Sequence, residues 1–213
     1  MKAYRVFLSI IALVLLNLAA CNVSVNRSIE IDDGETVSSS LNTVNGNILI
    51  GNECVVKGSS RTVNGRIEVG RNSEVDELQC VNGSIRLGKE VHVLGDIETV
   101  NGSVSCDPGV KIDGEINSIN GSVDLENTTV RRDLTTYNGS ITLLDESIID
   151  GDIVIEENKG SSSHRRRLKI RITENSVVKG DIDVRDDDIE VIVYLSKGGK
   201  VNGKIKNAEV VEE

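Results

Sequence analysis

The chain has no tryptophan, one phenylalanine, three tyrosines and one proline in 213 residues. Two of the four aromatics, Tyr4 and Phe7, fall in an apolar amino-terminal segment, which leaves Tyr137 and Tyr194 for everything that follows. A compact globular core takes much of its packing from large rings. This sequence cannot supply them, whereas a narrow column of stacked strands filled by Val, Ile and Leu does not need them. The lone Pro108 and the regular spread of the 20 glycines exclude a linker-like or disordered body. Cysteine is scarce as well: besides Cys21 there are only Cys54, Cys80 and Cys106, an odd number without a CxxC pair. That pattern argues against a zinc site and against a complete disulfide framework, and the three read as small buried hydrophobes. One disulfide stays open as an alternative in an oxidising compartment. Positive charge is in deficit, 24 Lys and Arg against 34 Asp and Glu, for a formal charge of -10. Such a surface has no general attraction for nucleic acid or anionic lipid.

The amino terminus sets the expected compartment. Lys2 and Arg5 precede the apolar run Val6–Leu16, and Leu18-Ala19-Ala20-Cys21 follows, which is the layout of a cleaved secretory signal over residues 1–20. The run is about half of the ~20 residues that a membrane-spanning helix needs. Leu18-Ala19-Ala20-Cys21 also resembles the bacterial lipobox, and the resemblance implies that the Cys21 thiol is lipidated and becomes the first mature residue. Asn22, rather than aspartate, follows it. By the same resemblance the destination is the outer membrane, with the periplasmic and surface faces both open. Loss of Lys2 and Arg5 takes the charge from -10 to about -12.

What the sequence has in plenty is a repeat. Thr43-Val-Asn45-Gly46, Thr62-Val-Asn64-Gly65, Cys80-Val-Asn82-Gly83, Thr99-Val-Asn101-Gly102, Ser118-Ile-Asn120-Gly121 and Thr136-Tyr-Asn138-Gly139 start at intervals of 19, 18, 19, 19 and 18 residues. Alternation follows each of these Asn-Gly pairs, as in Ile67-Glu68-Val69, Ile85-Arg86-Leu87 and Val104-Ser105-Cys106, with Leu49 as the exception at an outward position. A period of two marks a strand with one buried face, so the first and third residues point inward and Cys106 takes a core position. A second apolar point recurs at Val56, Val75, Val93, Ile112, Val130 and Ile149, often before Gly-Asp-Ile or its like. Three short strands and three bends per unit, with the rest of the coil as the crossover between parallel neighbours, predict an all-β, single-stranded parallel β-helix. About eight coils of 18–19 residues are expected over 43–206. An antiparallel hairpin array would bring a turn every 8–12 residues and would not restore this register. The general preference for right-handed crossovers favours the right-handed form, although a six-residue step through Val63, Val69, Val75, Val81, Leu87 and Val93 resembles left-handed prisms.

The Asn-Gly pairs are expected to serve structure. Gly46, Gly65, Gly83, Gly102, Gly121 and Gly139 suit bends with positive φ. Asn45, Asn64, Asn82, Asn101, Asn120 and Asn138 are placed to stack into a hydrogen-bonded ladder. Residues 21–42 read as a lipidated tether with a capping strand, 156–167 as an extruded polar loop, and 207–213 as a tail. Val201-Asn-Gly-Lys-Ile205 reads as a return of the Asn-Gly motif. His164, Arg165, Arg166 and Arg167 form the one basic run and the candidate interaction loop, toward phosphates, carboxylates or a partner protein.

No catalytic centre is predicted. Two histidines, His92 and His164, and two aromatics do not make a carbohydrate-cleaving cleft. The carboxylates Asp113, Glu115, Asp150, Asp152, Asp181 and Asp183 recur with the coil, as a solvated acidic ridge would. Asp186-Asp187-Asp188 lacks the glycine and final glutamate of a calcium loop. No cofactor or metal is expected. The Thr-Val-Asn-Gly-Ser-Ile units resemble the bacterial adhesin-type β-helix domain of unknown function. Val178-Lys-Gly-Asp-Ile182 and Gly198-Gly-Lys-Val-Asn-Gly203 resemble bactofilins, the polymer-forming cytoskeletal family. These resemblances imply a membrane-anchored structural or adhesion module with an envelope protein or glycan partner, or a self-associating scaffold; fold alone does not fix which.

Overall fold

The computed structural model describes residues 23–157 and 166–212, and among them there is no helix. Each coil contributes one strand to each of three parallel sheets. The first sheet contains Val23–Ser24, Leu41–Asn45, Ser60–Asn64, Leu78–Asn82, Ile97–Asn101, Ile116–Asn120, Leu134–Thr136, Ile153–Ile155, Ile182–Val184 and Ile205–Lys206, in that spatial order. The second runs from Ile29–Ile31 to Glu209–Glu212, and the third from Thr36–Val37 to Lys200–Val201, with ten and nine strands. The described residues therefore form the expected parallel β-solenoid, with about nine turns against about eight coils expected.

The extra turn comes from segments expected to lie outside it. Residues of the presumed tether pair into all three sheets: Val23 with Asn42, Ile29 with Ile48 and Thr36 with Val55. At the far end, residues 209–212 of the presumed tail pair with Ile192–Leu195. Short terminal strands are hard to see in a sequence because half of their pairing partners are absent, so the motif around them degrades.

The interior follows the alternation. Ile48, Ile67, Ile85, Val104, Val123, Ile141 and Ile170 form one buried row, and Ile50, Val69, Leu87, Cys106, Leu125, Leu143 and Ile172 the next. Val56, Val75, Val93, Ile112, Val130, Ile149 and Val178 make the buried row of the third sheet. Rows of identical or near-identical volume at every rung pack without rings, which is how the core closes with no described aromatic inside it. Burying such side chains is worth about 1.5–3 kcal/mol each before chain entropy is set against it.

Candidate functional site

The Asn-Gly corner joins the first sheet to the second. Asn45 Nδ2 donates to Asn26 Oδ1 at 2.7 Å, Asn64 to Asn45 at 2.7 Å, Asn82 to Asn64 at 2.9 Å, and Asn101 to Asn82 at 2.9 Å. Asn120 continues to Asn101 at 3.0 Å and Asn138 to Asn120 at 2.8 Å. All six asparagines expected in a ladder are in it, and each uses both ends of its amide. The column has two further members. Asn26 terminates it one coil below Asn45, and the Arg166 guanidinium donates to Asn138 Oδ1 at the top. Asn26 escapes a motif search because Arg27, not glycine, follows it.

The glycines of this corner have a different reason to be glycine than the one the sequence suggests. Of the six, only Gly83 and Gly121 have positive φ, at 152° and 148°. What they share is close stacking: a Cβ on Gly65, Gly83, Gly102, Gly121 or Gly139 would fall on the carbonyl oxygen of the motif glycine one coil below, and one on Gly46 would fall on the Arg27 carbonyl. The left-handed bend lies at the corner between the second and third sheets. Glu53, Asn72, Glu90, Asn127 and Asn175 sit there at φ between 42° and 61°, with Gly34, Gly109 and Gly198 at 76° to 87°. Just after this bend a buried inward position recurs as Cys54, Ser73, Val91, Val110, Thr128, Ser147 and Ser176. Where it is serine, the hydroxyl accepts the backbone N–H of the coil below: Ser73 from Cys54 at 3.0 Å, Ser147 from Thr128 and Ser176 from Ser147 at 3.1 Å.

The acidic residues of the third corner also hold coils together. Asp96 Oδ1 accepts the Glu115 N–H at 2.9 Å, Asp133 that of Asp152 at 2.9 Å, Asp152 that of Asp181 at 2.8 Å, and Asp181 that of Lys204 at 2.8 Å. The Lys204 N–H and the Lys206 ammonium hold the Asp181 carboxyl below the usual carboxylate range. The ridge is thus partly a backbone-binding ladder. Asp113 lies apart, with His92 Nε2 at 2.9 Å from one oxygen and Arg131 Nε at 2.8 Å from the other, while Asp150 meets Lys179 at 2.7 Å. On the outer face of the first sheet, Arg61 donates to Gln79, whose amide donates to Glu98 at 2.9 Å. Burial, followed by the charges of Glu77, Asp96 and Glu115, pushes the Glu98 carboxyl up to about 7.

Of the sequence-derived site residues, Cys21, His164 and Arg165 lie outside the described residues, as does the proposed signal segment. Arg166 and Arg167 are not loop: they open the strand Arg166–Ile172. Arg166, besides capping the asparagine ladder, lies 3.8 Å from the buried Asp186, and Arg167 forks onto both oxygens of Glu190 at 3.0 and 3.1 Å. Both cations are engaged within the chain. Cys54, Cys80 and Cys106 are free and buried, on three different positions of the coil. Among the described residues no group of three or more His, Cys, Asp or Glu is arranged to hold a metal ion, and no helix is long and apolar enough to cross a membrane. Compared with protein-family profiles, curated proteins and solved structures, the chain matches none.

Proposed function

We propose that this protein is a non-enzymatic lipoprotein of the bacterial envelope, held through Cys21 and serving as a rigid structural or adhesion module. The observation that carries this reading is the continuity of the column. Hydrogen bonds run from coil to coil from Val23 to Glu212, and the first strand starts two residues after Cys21. Nine turns at about 4.8 Å each amount to roughly 45 Å of stiff, acidic rod standing on its anchor. Its long faces, which carry outward side chains such as Arg61, Gln79, Glu98, Glu68 and Arg86, are what an envelope protein or glycan partner would meet. Fractionation of the native protein and of Cys21→Ala tests the anchor: the native form is expected in the membrane fraction with a lipid-modified amino-terminal peptide, the variant in the soluble fraction. An unlipidated native protein in the soluble fraction would refute it.

A second reading, a self-assembling scaffold of the bactofilin kind, is favoured by the two ends. Ile29, Ile31 and Val37 at one end and Leu195, Val201, Ile205 and Ala208 at the other are only partly buried, and Val210 is 43% exposed. Among the described residues the outermost strands have a neighbour on one side only, and such edges template pairing unless they are covered. The ends also differ in charge: Glu30, Asp32, Asp33 and Glu35 crowd the first coil against Arg27 alone, whereas between residues 189 and 212 Lys197, Lys200, Lys204 and Lys206 outnumber Glu190, Glu209 and Glu212 by one. That polarity suits head-to-tail stacking. Sedimentation of the soluble Cys21→Ala protein at rising concentration is expected to show salt-sensitive oligomers under this reading, and a monomer at all concentrations would exclude it.

A further inference from the structure

Seven Asn-Gly pairs occur in the chain, and the fold treats one of them differently. Asn-Gly is the sequence most prone to spontaneous deamidation, because an unhindered glycine nitrogen can reach the preceding side-chain amide. Six pairs are in the ladder, where the asparagine amide is bound at both ends. In most of these the glycine nitrogen is engaged too: Gly46, Gly65, Gly83 and Gly102 donate to the carbonyl of the ladder asparagine one coil above, at 2.8–3.1 Å, and Gly139 donates to Thr136 Oγ1 at 3.0 Å.

The seventh is at another corner. Val201 pairs with Val178 in the third sheet, so Val201-Asn202-Gly203-Lys204-Ile205 is the counterpart of Val178-Lys179-Gly180-Asp181-Ile182, not a return of the ladder motif. Asn202 is exposed, no other asparagine lies under it, and its side chain makes no hydrogen bond to the described residues. It sits on the last described turn, and among the described residues no coil lies above it. One bond, Gly203 N–H to the Gly180 carbonyl at 3.1 Å, holds the glycine nitrogen.

We propose that Asn202 is the site of spontaneous deamidation in the folded protein and that the asparagine ladder protects the other six Asn-Gly pairs from it. The Gly203 nitrogen attacks Asn202 Cγ, forming the N–Cγ bond of a succinimide. The Cγ–Nδ2 bond breaks, and ammonia leaves with the proton given up by the glycine nitrogen. Water then opens the ring, adding hydroxyl to one carbonyl carbon and hydrogen to the nitrogen, to give aspartate or isoaspartate. Either product puts a negative charge on an end coil rich in lysine. Isoaspartate also lengthens the backbone by one carbon and so disturbs the Gly203–Gly180 bond and the Lys204 N–H to Asp181 contact.

In the ladder the same reaction must first release the amide from two neighbours, each bond worth about 1 kcal/mol net, and so runs about tenfold or more slower. The test is peptide mapping by mass spectrometry of the full chain aged at mildly alkaline pH, folded and in urea. Folded protein is expected to convert at Asn202 at least about tenfold faster than at any of the six ladder positions. In urea all seven are expected to convert at similar rates, and folded Asn202→Gln to lose the early acidic product. Ladder asparagines converting as fast as Asn202 in folded protein would overturn the proposal, as would an Asn202 that stays intact when folded but converts in urea.

Discussion

Glu98 sits in a poor place for a charge. Its carboxyl is partly covered on the outer face of the first sheet, with Glu77, Asp96 and Glu115 nearby and Arg61 as the opposing cation, while Gln79 donates to it and Asn117 adjoins it in register. The folded form therefore keeps a proton that the unfolded chain has lost, and stability falls as pH rises from 4.5 toward 7. Glu98→Gln preserves the acceptor for Gln79 and removes the charge. It is expected to stabilise the protein at pH 8 by about 1 kcal/mol, after allowance for solvent screening, and to leave it nearly unchanged at pH 4.5. Urea titrations at the two pH values would show this, and an equal effect at both would count against it. Asn82 illustrates the reverse case, a side chain that fits its place. It donates to Asn64 and accepts from Asn101, both at 2.9 Å, in an exposed position where water can replace either partner. Asn82→Ala is expected to cost about 1 kcal/mol in the same titration, well short of a core substitution.

The corners, more than the strands, decide what each element tolerates. In the Asn-Gly corner the backbone of one turn rests on the next, and a Cβ at Gly102 would meet the Gly83 carbonyl. Gly102→Ala must open two coils at once, and about 2–4 kcal/mol is lost. Thermal unfolding would report it, and an unshifted melting temperature would show that the corner can relax. The same substitution at Gly34, where φ is 76° but nothing lies within 4 Å, carries only the local strain of a left-handed residue, about 1–2 kcal/mol. The two glycines separate the reasons for that residue type: close stacking at one corner, backbone conformation at another.

At the scale of the whole molecule, the solenoid hides its thiols. Burial pushes the Cys80 thiol up to about 12 and raises that of Cys106 as well, while Cys54 is fully buried with its Sγ 3.1 Å from the Asp32 carbonyl. A thiol kept protonated and out of water does not react. Alkylation of soluble Cys21→Ala protein at pH 8 is expected to leave all three unmodified in the folded state and to modify all three in denaturant. Rapid labelling of Cys106 in folded protein would mean that the column opens locally at mid-height. Paired strands of successive coils are separated by 17 to 29 residues of sequence, so coil-to-coil contacts form only as the turns stack, and local opening is expected first at the terminal turns.

The sequence by itself determined the coil. Alternation at Ile67-Glu68-Val69 and its equivalents sets which side chains face inward, and the 18–19-residue return of Asn-Gly sets the length of a turn. Both are properties of short windows, and stacking follows because no other arrangement buries every row. Only the tertiary structure decided where the ends lie, what the glycines are for, and which cations are free. Nothing near Gly65 in sequence reveals the Gly46 carbonyl beneath it, and nothing near Arg166 reveals Asn138, 28 residues earlier and one coil below. Val201-Asn202-Gly203 copies the ladder motif in letters yet takes the third corner, because the longer eighth and ninth turns shift the count. Contacts between coils depend on how turns of unequal length superpose, and that is settled by packing rather than by any local pattern.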